Sequence, residues 1–483
     1  MNNWGWWKRA GGVLFLCITA AVMLPAQTLT TLYSFDVTDG ASPAAGAVQA
    51  ADGNFYGTTW TGGANGAGTV YKITAGGKLT TVYSFCSQTD CTDGANPQAG
   101  LIQATDRNLY GTTLAGGASY DGAIFKISPS GTLTTLYSFC SQADCEDGSN
   151  PQAGLLEATD GDFYGTTSAG GANESGTVYK ITPRGTLTTL YSFCPESNCA
   201  NGAIPEAGLV QAANGDLYGT TSEGGSNGGG TVFKITSKGL LTTLYSFCSQ
   251  SECTDGAYPQ AGLVQATDGD LYGTTAGGGT DRIGTIFKIT PSGTLTTLSS
   301  FDDTDGWGPE GALIRATDGN LYGTTSAGGG TDRSGTVFRI NPTGTLTTLY
   351  SFCSQTDCAD GSLPEAGLFQ GTDGSMYGTT ALGGAGSACS HDGCGTVFSL
   401  SVGLRPLVIA QPSSGKVGTS VTILGTNLTG ASSVTFNGTP ATFTLRSRTF
   451  ITATVPASAT SGTVQVVTPA GVLSSNAPFR VVP

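Results

Sequence analysis

Residues 261–275, AGLVQATDGDLYGTT, contain the phrase around which most of the chain is built. Two short runs of strand-forming residues flank an Asp-Gly pair, and the Tyr-Gly pair of the second run recurs seven times, at intervals of 50 to 55 residues. The tyrosines are Tyr56, Tyr110, Tyr164, Tyr218, Tyr272, Tyr322 and Tyr377. A fixed period of this length, built from β units, is typical of a propeller or another repeat array.

Each repeat contains four strand candidates, which we call A (GLVQAT), B (DLYGTT), C (GTVFKIT) and D (LTTLYSF). Short runs of this kind, bounded by Gly, Asp and Pro, fit four-stranded antiparallel blades. The chain opens on a strand D ending at Phe35 and ends its repeats on strands A, B and C, within residues 367–400. Because the two fragments complete one unit, we expect the N-terminal strand to close a ring. The sequence thus predicts an all-β protein with a seven-bladed β-propeller of four-stranded blades over residues 28–402.

Strand order assigns the connections to the two ends of the predicted propeller. Strands A and B join through pairs such as Asp268-Gly269, which predict tight two-residue hairpins with positive φ at both positions. The second unit has Asp106-Arg107 instead, so we expect a different turn there. The A–B and C–D turns share one end, and the longer B–C and D–A loops share the other. Since function on a rigid scaffold usually lies on such loops, we expect it at the B–C and D–A end.

Thirteen cysteines are present, of which all but Cys17 form six pairs with four residues between the partners. An even count at fixed spacing in an exported chain is typical of disulfides. Zinc is the alternative, but structural zinc sites usually add histidines or a second cysteine pair, and this chain has one histidine. The predicted disulfides are Cys86–Cys91, Cys140–Cys145, Cys194–Cys199, Cys248–Cys253, Cys353–Cys358 and Cys389–Cys394.

The two ends of the chain differ from the repeats. Residues 1–26 are typical of a signal peptide: Lys8 and Arg9 precede an apolar stretch, and small residues precede Gln27. An uncleaved anchor is the alternative. Residues 404–483 alternate apolar and polar residues in short runs without cysteine, which predicts a small immunoglobulin-like β-sandwich.

The net charge of −14 argues against nucleic acid as a partner. No segment after the signal peptide is long and apolar enough to cross a membrane. We therefore expect a protein that is secreted, extracellular or held at the cell surface, without a membrane span once the signal is removed, and a monomer.

Two family resemblances rest on these phrases. Residues 28–402 resemble the GloVer tandem-repeat family of bacterial exported proteins, through LYGTT, GTVFKI and LTTLYSF. The A to D rhythm is more distantly similar to NHL-type propellers. Residues 404–483 resemble an IPT/TIG domain, through GKVGTSVTILGTNL at 415–428 and VTFNGTPA at 434–441. The repeat family implies export and often attachment to the cell surface, but no established activity.

Calcium is the only cofactor that the pattern suggests. An Asp-Gly or Asn-Gly pair recurs in every D–A loop, which is most simply explained by turn formation. Two of these loops lack cysteines and are richer in aspartate, and hard cations prefer carboxylate oxygens. The candidate ligands are Asp36, Asp39, Asp302 and Asp305. No other cofactor is expected.

A single ligand has to break the sevenfold repeat, so departures from it are the candidate binding residues. They are the aromatic residues and charges Trp307, Tyr258, Asp281, Arg282, Asp332, Arg333 and His391, all in B–C or D–A loops. They predict a binding or structural module for carbohydrate or a surface protein. The alternative is an extracellular hydrolase or lyase that uses loop carboxylates. We assign no catalytic residue, and one histidine makes a Ser-His-Asp triad improbable.

Overall fold

The computed structural model describes residues 27–196, 198–212, 214–386, 389 and 393–482. The predicted signal peptide, residues 1–26, and His391 lie outside these residues. The described residues form an all-β structure whose only helical elements are four single 3-10 turns, at Thr89–Cys91, Ala143–Cys145, Ser251–Cys253 and Thr356–Cys358. No helix among them is long and apolar enough to cross a membrane.

Seven four-stranded antiparallel sheets form the repeat region in the described part of the chain, and we number them 1 to 7. Strands A span Val48–Gln49, Ile102–Gln103, Leu156–Glu157, Val210–Gln211, Val264–Gln265, Ile314–Arg315 and Phe369–Gln370. Strands B span Phe55–Thr59, Leu109–Thr113, Phe163–Thr167, Leu217–Thr221, Leu271–Thr275, Leu321–Thr325 and Met376–Thr380.

Strands C and D complete each sheet. Strands C span Thr69–Ile73, Ala123–Ile127, Thr177–Ile181, Thr231–Ile235, Thr285–Ile289, Thr336–Ile340 and Thr396–Ser401. Strands D span Leu79–Ser84, Leu133–Ser138, Leu187–Ser192, Leu241–Ser246, Leu295–Ser300 and Leu346–Ser351, with Thr28–Ser34 serving sheet 7. Strands B are buried throughout, because both faces of each sheet pack against neighbouring sheets.

The N-terminal strand completes sheet 7, as the phase of the repeat predicts. Thr28–Ser34 pairs antiparallel with Thr396–Ser401, with a bulge near Leu32. Seven hydrophobic clusters each join two sheets, and one of them joins Tyr377 of sheet 7 to Phe55 of sheet 1. The first and last repeats therefore share a core.

A polar contact repeats at most of the same junctions. The last residue of strand A accepts a hydrogen bond from a backbone N–H in the A–B turn of the preceding sheet. The described acceptors are Gln103, bonded to Ala51 at 2.7 Å, Glu157 to Thr105, Gln211 to Thr159, Gln370 to Thr317 and Gln49 to Thr372. Sheet 6 has Arg315 at this position, which cannot accept.

The A–B turns differ from the predicted two-residue hairpins. In sheet 1 the N–H of Gly53 bonds to the carbonyl of Ala50, and only the glycine has positive φ. Such a three-residue turn suits the sequence because the backbone of Asp52 keeps a negative φ. The Asp52 carboxylate also accepts a hydrogen bond from the N–H of Asn54. The expectation of a different turn in sheet 2 was also wrong: Arg107 takes the glycine position at φ 68° with the same hydrogen bond.

The C-terminal region is a β-sandwich, as the alternation predicts. One sheet orders Val408–Gln411, Ser420–Gly425, Phe450–Thr454 and Phe443–Ser447, and the other orders Thr439–Pro440, Ser433–Phe436, Val464–Thr468 and Gly471–Ser474. Ser414–Lys416 pairs in parallel with Arg480–Val482. Its core is aliphatic, with Phe436 packed edge to face against Phe479.

The sandwich contacts the end of the repeat region that carries the A–B turns. Gln411 donates to the carbonyl of Gln49, and Arg480 donates to Gln211 at 3.1 Å. Residues 475–478, between the last two strands, line cavities together with strands A from several sheets. The contacts that the described residues of the sandwich make with the repeat region lie at this end, opposite the B–C and D–A loops.

Candidate functional site

The free end of the repeat region is built from the disulfide-bonded loops. All six predicted disulfides are present, five in D–A loops and Cys389–Cys394 in the B–C loop of sheet 7. Each D–A loop also forms an antiparallel bridge to the B–C loop of the following sheet, such as Ala257 with Gly277. The two kinds of loop therefore form one face, which we call the loop face.

The recurring aspartate of the D–A loop is a structural residue in the four sheets where it is fully buried. Asp255, for example, accepts hydrogen bonds from the Tyr245 hydroxyl at 2.8 Å, from the backbone and hydroxyl of Ser249, and from the N–H of Gln250. Asp93, Asp147 and Asp360 repeat this arrangement. Their carboxylates are occupied by donors, so they hold the loop and are not directed at a ligand.

The calcium candidates lie in two separate loops, with Asp36 and Asp39 in one and Asp302 and Asp305 in the other. One oxygen of Asp302 accepts from the N–H and hydroxyl of Thr304, which lowers the pKa of Asp302. Asp36 does the same with Thr38. These turns use one carboxylate oxygen each, and calcium binding at either loop stays a prediction.

Three predicted binding residues and one calcium candidate line a cleft between the loops of sheets 5 and 6. The cleft measures about 660 Å³ and is lined by Asp281, Ile283, Asp302, Asp303, Thr304, Trp307 and Arg333. Trp307 is 40% exposed, and Arg333 pairs with Asp303 at 2.5 Å. At the position of Trp307 the other sheets have Ala41, Ala95, Ser149, Ala203, Ala257 and Ser362, as the matching bridges show. The tryptophan is therefore a departure specific to this cleft.

The other described binding candidates, Tyr258, Arg282 and Asp332, do not line this cleft. Tyr258 is half exposed in the preceding D–A loop. Arg282 forms an ion pair with Glu252 in an exposed position. Asp332 lies in the B–C loop next to Arg333, where it accepts from the hydroxyl of Thr331.

Sequence reasoning missed three glutamates, Glu206, Glu310 and Glu365, which precede strands A of sheets 4, 6 and 7. Burial away from water raises the pKa of Glu310, and the negative charge of Glu206 raises it further. Burial and the charge of Glu310 likewise raise the pKa of Glu365. Sheets 4 and 6 are not neighbours, so these charges interact only if both side chains point toward a common axis. One oxygen of Glu206 has no hydrogen-bond partner in the described residues.

The glutamates could have been found in the sequence. The segment Pro-X-Ala-Gly precedes most strands A, and X is Gln98, Gln152 or Gln260 in three sheets but glutamate in sheets 4 and 7; sheet 6 has Pro309-Glu310-Gly311. The glycines of this segment lie close together: a Cβ on Gly46 would be 2.6 Å from the carbonyl oxygen of Gly367. The segments that carry the glutamates therefore pack closely between neighbouring sheets.

Repeated four-stranded sheets with a terminal sandwich define a class of all-β repeat proteins with an immunoglobulin-like domain. Within it, the chain belongs to the Gloeobacter/Verrucomicrobia repeat family, whose model matches residues 12–212 and 195–398. The IPT/TIG domain model matches residues 410–481. Both resemblances drawn from the sequence are thereby confirmed. A search among curated proteins finds no significant match.

Several solved structures are similar in fold. A fungal alcohol oxidase of the AA5 family, in complex with copper, matches with a TM-score of 0.54 and 14% identity over 94% of this chain and 99% of its own. The extracellular domain of a protein described as a hybrid two component system, from Bacteroides thetaiotaomicron, gives 0.49 and 12% over 92% and 53%. A protein described as a 6-phosphogluconolactonase, from Bacteroides uniformis, gives 0.43 and 18% over 63% and 83%. At these identities the similarity concerns the fold alone.

Proposed function

We propose that the seven sheets are the blades of a closed β-propeller, with domain limits at residues 28–402 and 404–483. The pairing of Thr28–Ser34 with Thr396–Ser401 supports this proposal. So do the core shared by sheets 7 and 1 and the hydrogen bond from Thr379 to the carbonyl of Ala45. Each of these contacts joins the first repeat to the last, which an open array would leave apart.

The function that the geometry supports best is an exported module that binds carbohydrate on the loop face. The observation that carries this proposal is the cleft between sheets 5 and 6, where Trp307 replaces a small residue beside Asp281, Asp302 and Arg333. An exposed indole offers an apolar face for a sugar ring, and the charged groups can bond to hydroxyls. The disulfides support export, because they persist in oxidising compartments.

Binding of the purified protein to a glycan array tests this proposal, with Trp307→Ala as the variant. Trp60→Ala is the matched control, because Trp60 is equally exposed, at 40%, on the B–C loop of sheet 1. We expect Trp307→Ala to weaken binding at least about tenfold, the effect of one stacked ring, and Trp60→Ala to leave it unchanged. Equal loss from both variants would indicate a broad protein ligand instead, and an array without any bound glycan would refute the proposal.

A second candidate function, a hydrolase or lyase, rests on the three glutamates. Burial and the charge of a neighbouring glutamate raise the pKa of Glu310 and of Glu365, which favours the protonated carboxyl that a general acid requires. Glu310→Gln and Glu365→Gln should preserve the fold, because Gln98, Gln152 and Gln260 occupy this position in other sheets. If the protein cleaves polysaccharides, these variants should lose the activity while Trp307→Ala retains part of it. Unchanged cleavage in both glutamine variants would exclude this role.

A further inference from the structure

At the end of the repeat region that contacts the sandwich, one strand A departs from the repeat by ending in an arginine, which lies near an arginine of the sandwich. Arg315 of sheet 6 and Arg480 of the sandwich line one partly open cavity of about 530 Å³ between the two regions. The other strands A end in Gln49, Gln103, Glu157, Gln211, Gln265 and Gln370. Arg315 is therefore a cation at a position where the repeat has an acceptor.

Neither guanidinium forms an ion pair within the described residues. The arginines that form ion pairs in the described residues are Arg282 and Arg333, so Arg315 and Arg480 do not belong to that set. Arg480 donates to Gln211, and Arg315 donates to the carbonyl of Asn476. A guanidinium has five N–H donors, so both retain donors for a further acceptor. Burial away from water lowers the pKa of Arg480, as expected for a cation that lacks a counter-ion.

The single carboxylate in the cavity wall does not neutralise them. Glu157 accepts from the N–H and the hydroxyl of Thr105 in sheet 2, at 3.2 and 2.7 Å. Burial raises the pKa of Glu157. The cavity thus carries an excess of positive charge in a protein whose net charge is −14.

The rest of the wall combines apolar and hydroxyl groups. Leu156, Val210 and Val264 face the cavity, and hydroxyls come from Thr159, Thr267, Ser413, Ser414, Thr463 and Ser475. The volume is in the range of small-molecule sites, and a guanidinium binds a carboxylate through paired hydrogen bonds. We propose that this cavity binds a small carboxylate that also carries hydroxyl groups, the chemistry of a sugar acid, between Arg315 and Arg480.

Isothermal titration of the full-length mature protein with galacturonate tests the site, with galactose and sodium sulfate as comparison ligands at equal ionic strength. Arg315→Gln is the informative variant, because it restores the glutamine of the repeat and should keep the fold. It also restores at the end of strand A of sheet 6 the side-chain acceptor that other sheets offer to the A–B turn of the preceding sheet. Arg480→Gln removes the second cation, and Arg184→Gln, on an exposed C–D turn, is the control.

We expect galacturonate to bind and galactose not to bind. Arg315→Gln and Arg480→Gln should each weaken binding at least about tenfold, as for one charged hydrogen-bond pair, while Arg184→Gln leaves it unchanged. Absence of binding, equal binding of galactose, or equal binding of sulfate would each overturn the proposal. The loop-face proposal is unaffected by any of these results, because its variant lies at the opposite end.

Discussion

Two tyrosines in strands C, Tyr71 and Tyr179, are fully buried, and their hydroxyls have no hydrogen-bond partner among the described residues. The other five sheets have phenylalanine here, at Phe125, Phe233, Phe287, Phe338 and Phe398. A buried hydroxyl without a partner costs free energy that phenylalanine does not. Phenylalanine is therefore a replacement for these two tyrosines that the other repeats already accommodate.

We expect Tyr71→Phe and Tyr179→Phe each to raise the free energy of unfolding by about 1 kcal/mol. Denaturant titration of the purified variants measures the change. Tyr218→Phe is the control, because the Tyr218 hydroxyl is bonded to Asn214 at 3.1 Å, and its loss should destabilise. Lower stability in both Tyr71→Phe and Tyr179→Phe would mean that their hydroxyls have acceptors.

In the D–A loop between sheets 5 and 6, Asp305 lacks the tyrosine hydroxyl that donates to the matching aspartate in other sheets. Six strands D have tyrosine before the final Ser-Phe, but the one ending at Ser300 has Ser299. Burial and the charge of Asp302 raise the pKa of Asp305 to about 6. Since this value is above the ordinary one, protonated Asp305 stabilises the fold, and that contribution is lost as pH rises from about 4 through 6.

Ser299→Tyr should supply the hydroxyl donor, as Tyr33 does for Asp39 in a loop of the same length. We expect it to raise stability by about 1 kcal/mol at pH 7 and to reduce the decline between pH 4 and 6. Thermal unfolding across that range is the measurement. Asp305→Asn is the control, because it removes the titrating group. If this variant lost as much stability between pH 4 and 6 as the wild type, Asp305 would not be the cause of the loss.

At the scale of elements, the disulfides fix loops and do not join blades. Each closes a loop between cysteines five positions apart, such as Cys86 and Cys91. The disulfides lie in the loop face, while the sheets are held by hydrophobic clusters shared between neighbouring sheets. Reduction should therefore alter the loops more than the sheets.

The variant Cys86→Ala with Cys91→Ala tests this view. Chain entropy for so short a loop predicts a loss of about 2 kcal/mol in the free energy of unfolding, with a cooperative transition retained. Denaturant unfolding followed by circular dichroism checks both points. Thiol titration of the unreduced wild type should find almost no free cysteine, and twelve free thiols would contradict the assignment.

At the scale of the whole molecule, the proposed closed ring would make the junction between sheets 7 and 1 equivalent to the others. Phe35 packs edge to face against Tyr71 at this junction, as Phe193 packs against Phe233 between sheets 3 and 4. Both phenylalanines are fully buried. If the ring is closed, the two positions should carry similar energetic weight.

We expect Phe35→Ala and Phe193→Ala to lower the free energy of unfolding by similar amounts, about 3 to 5 kcal/mol. Chemical denaturation of both variants under one set of conditions gives the comparison. A much smaller loss at Phe35 would mean that the first and last repeats are not held together in solution, and the closed propeller would be wrong.

Much of this architecture follows from the sequence because its signals are local. The period of the Tyr-Gly pairs, the alternation within strands and the split repeat predict the strands and their order. The disulfides follow from fixed spacing. The A–B turns were predicted incorrectly because two turn types share the Asp-Gly signal, and the choice between them depends on the hydrogen bonds of neighbouring side chains such as Asp52.

The sites were decided by contacts between distant repeats. Trp307 and Arg333 line one cleft because D–A and B–C loops of adjacent sheets pair, and the charge of Glu206 reaches Glu310 although their sheets are not neighbours. Nothing in the sequence places the sandwich on the A–B end, where Arg480 meets the strands A. The sequence alone determines the repeating unit and its order, since these depend on neighbours along the chain. Which charges face each other depends on the packing of residues more than a hundred positions apart, and only the tertiary structure decides it.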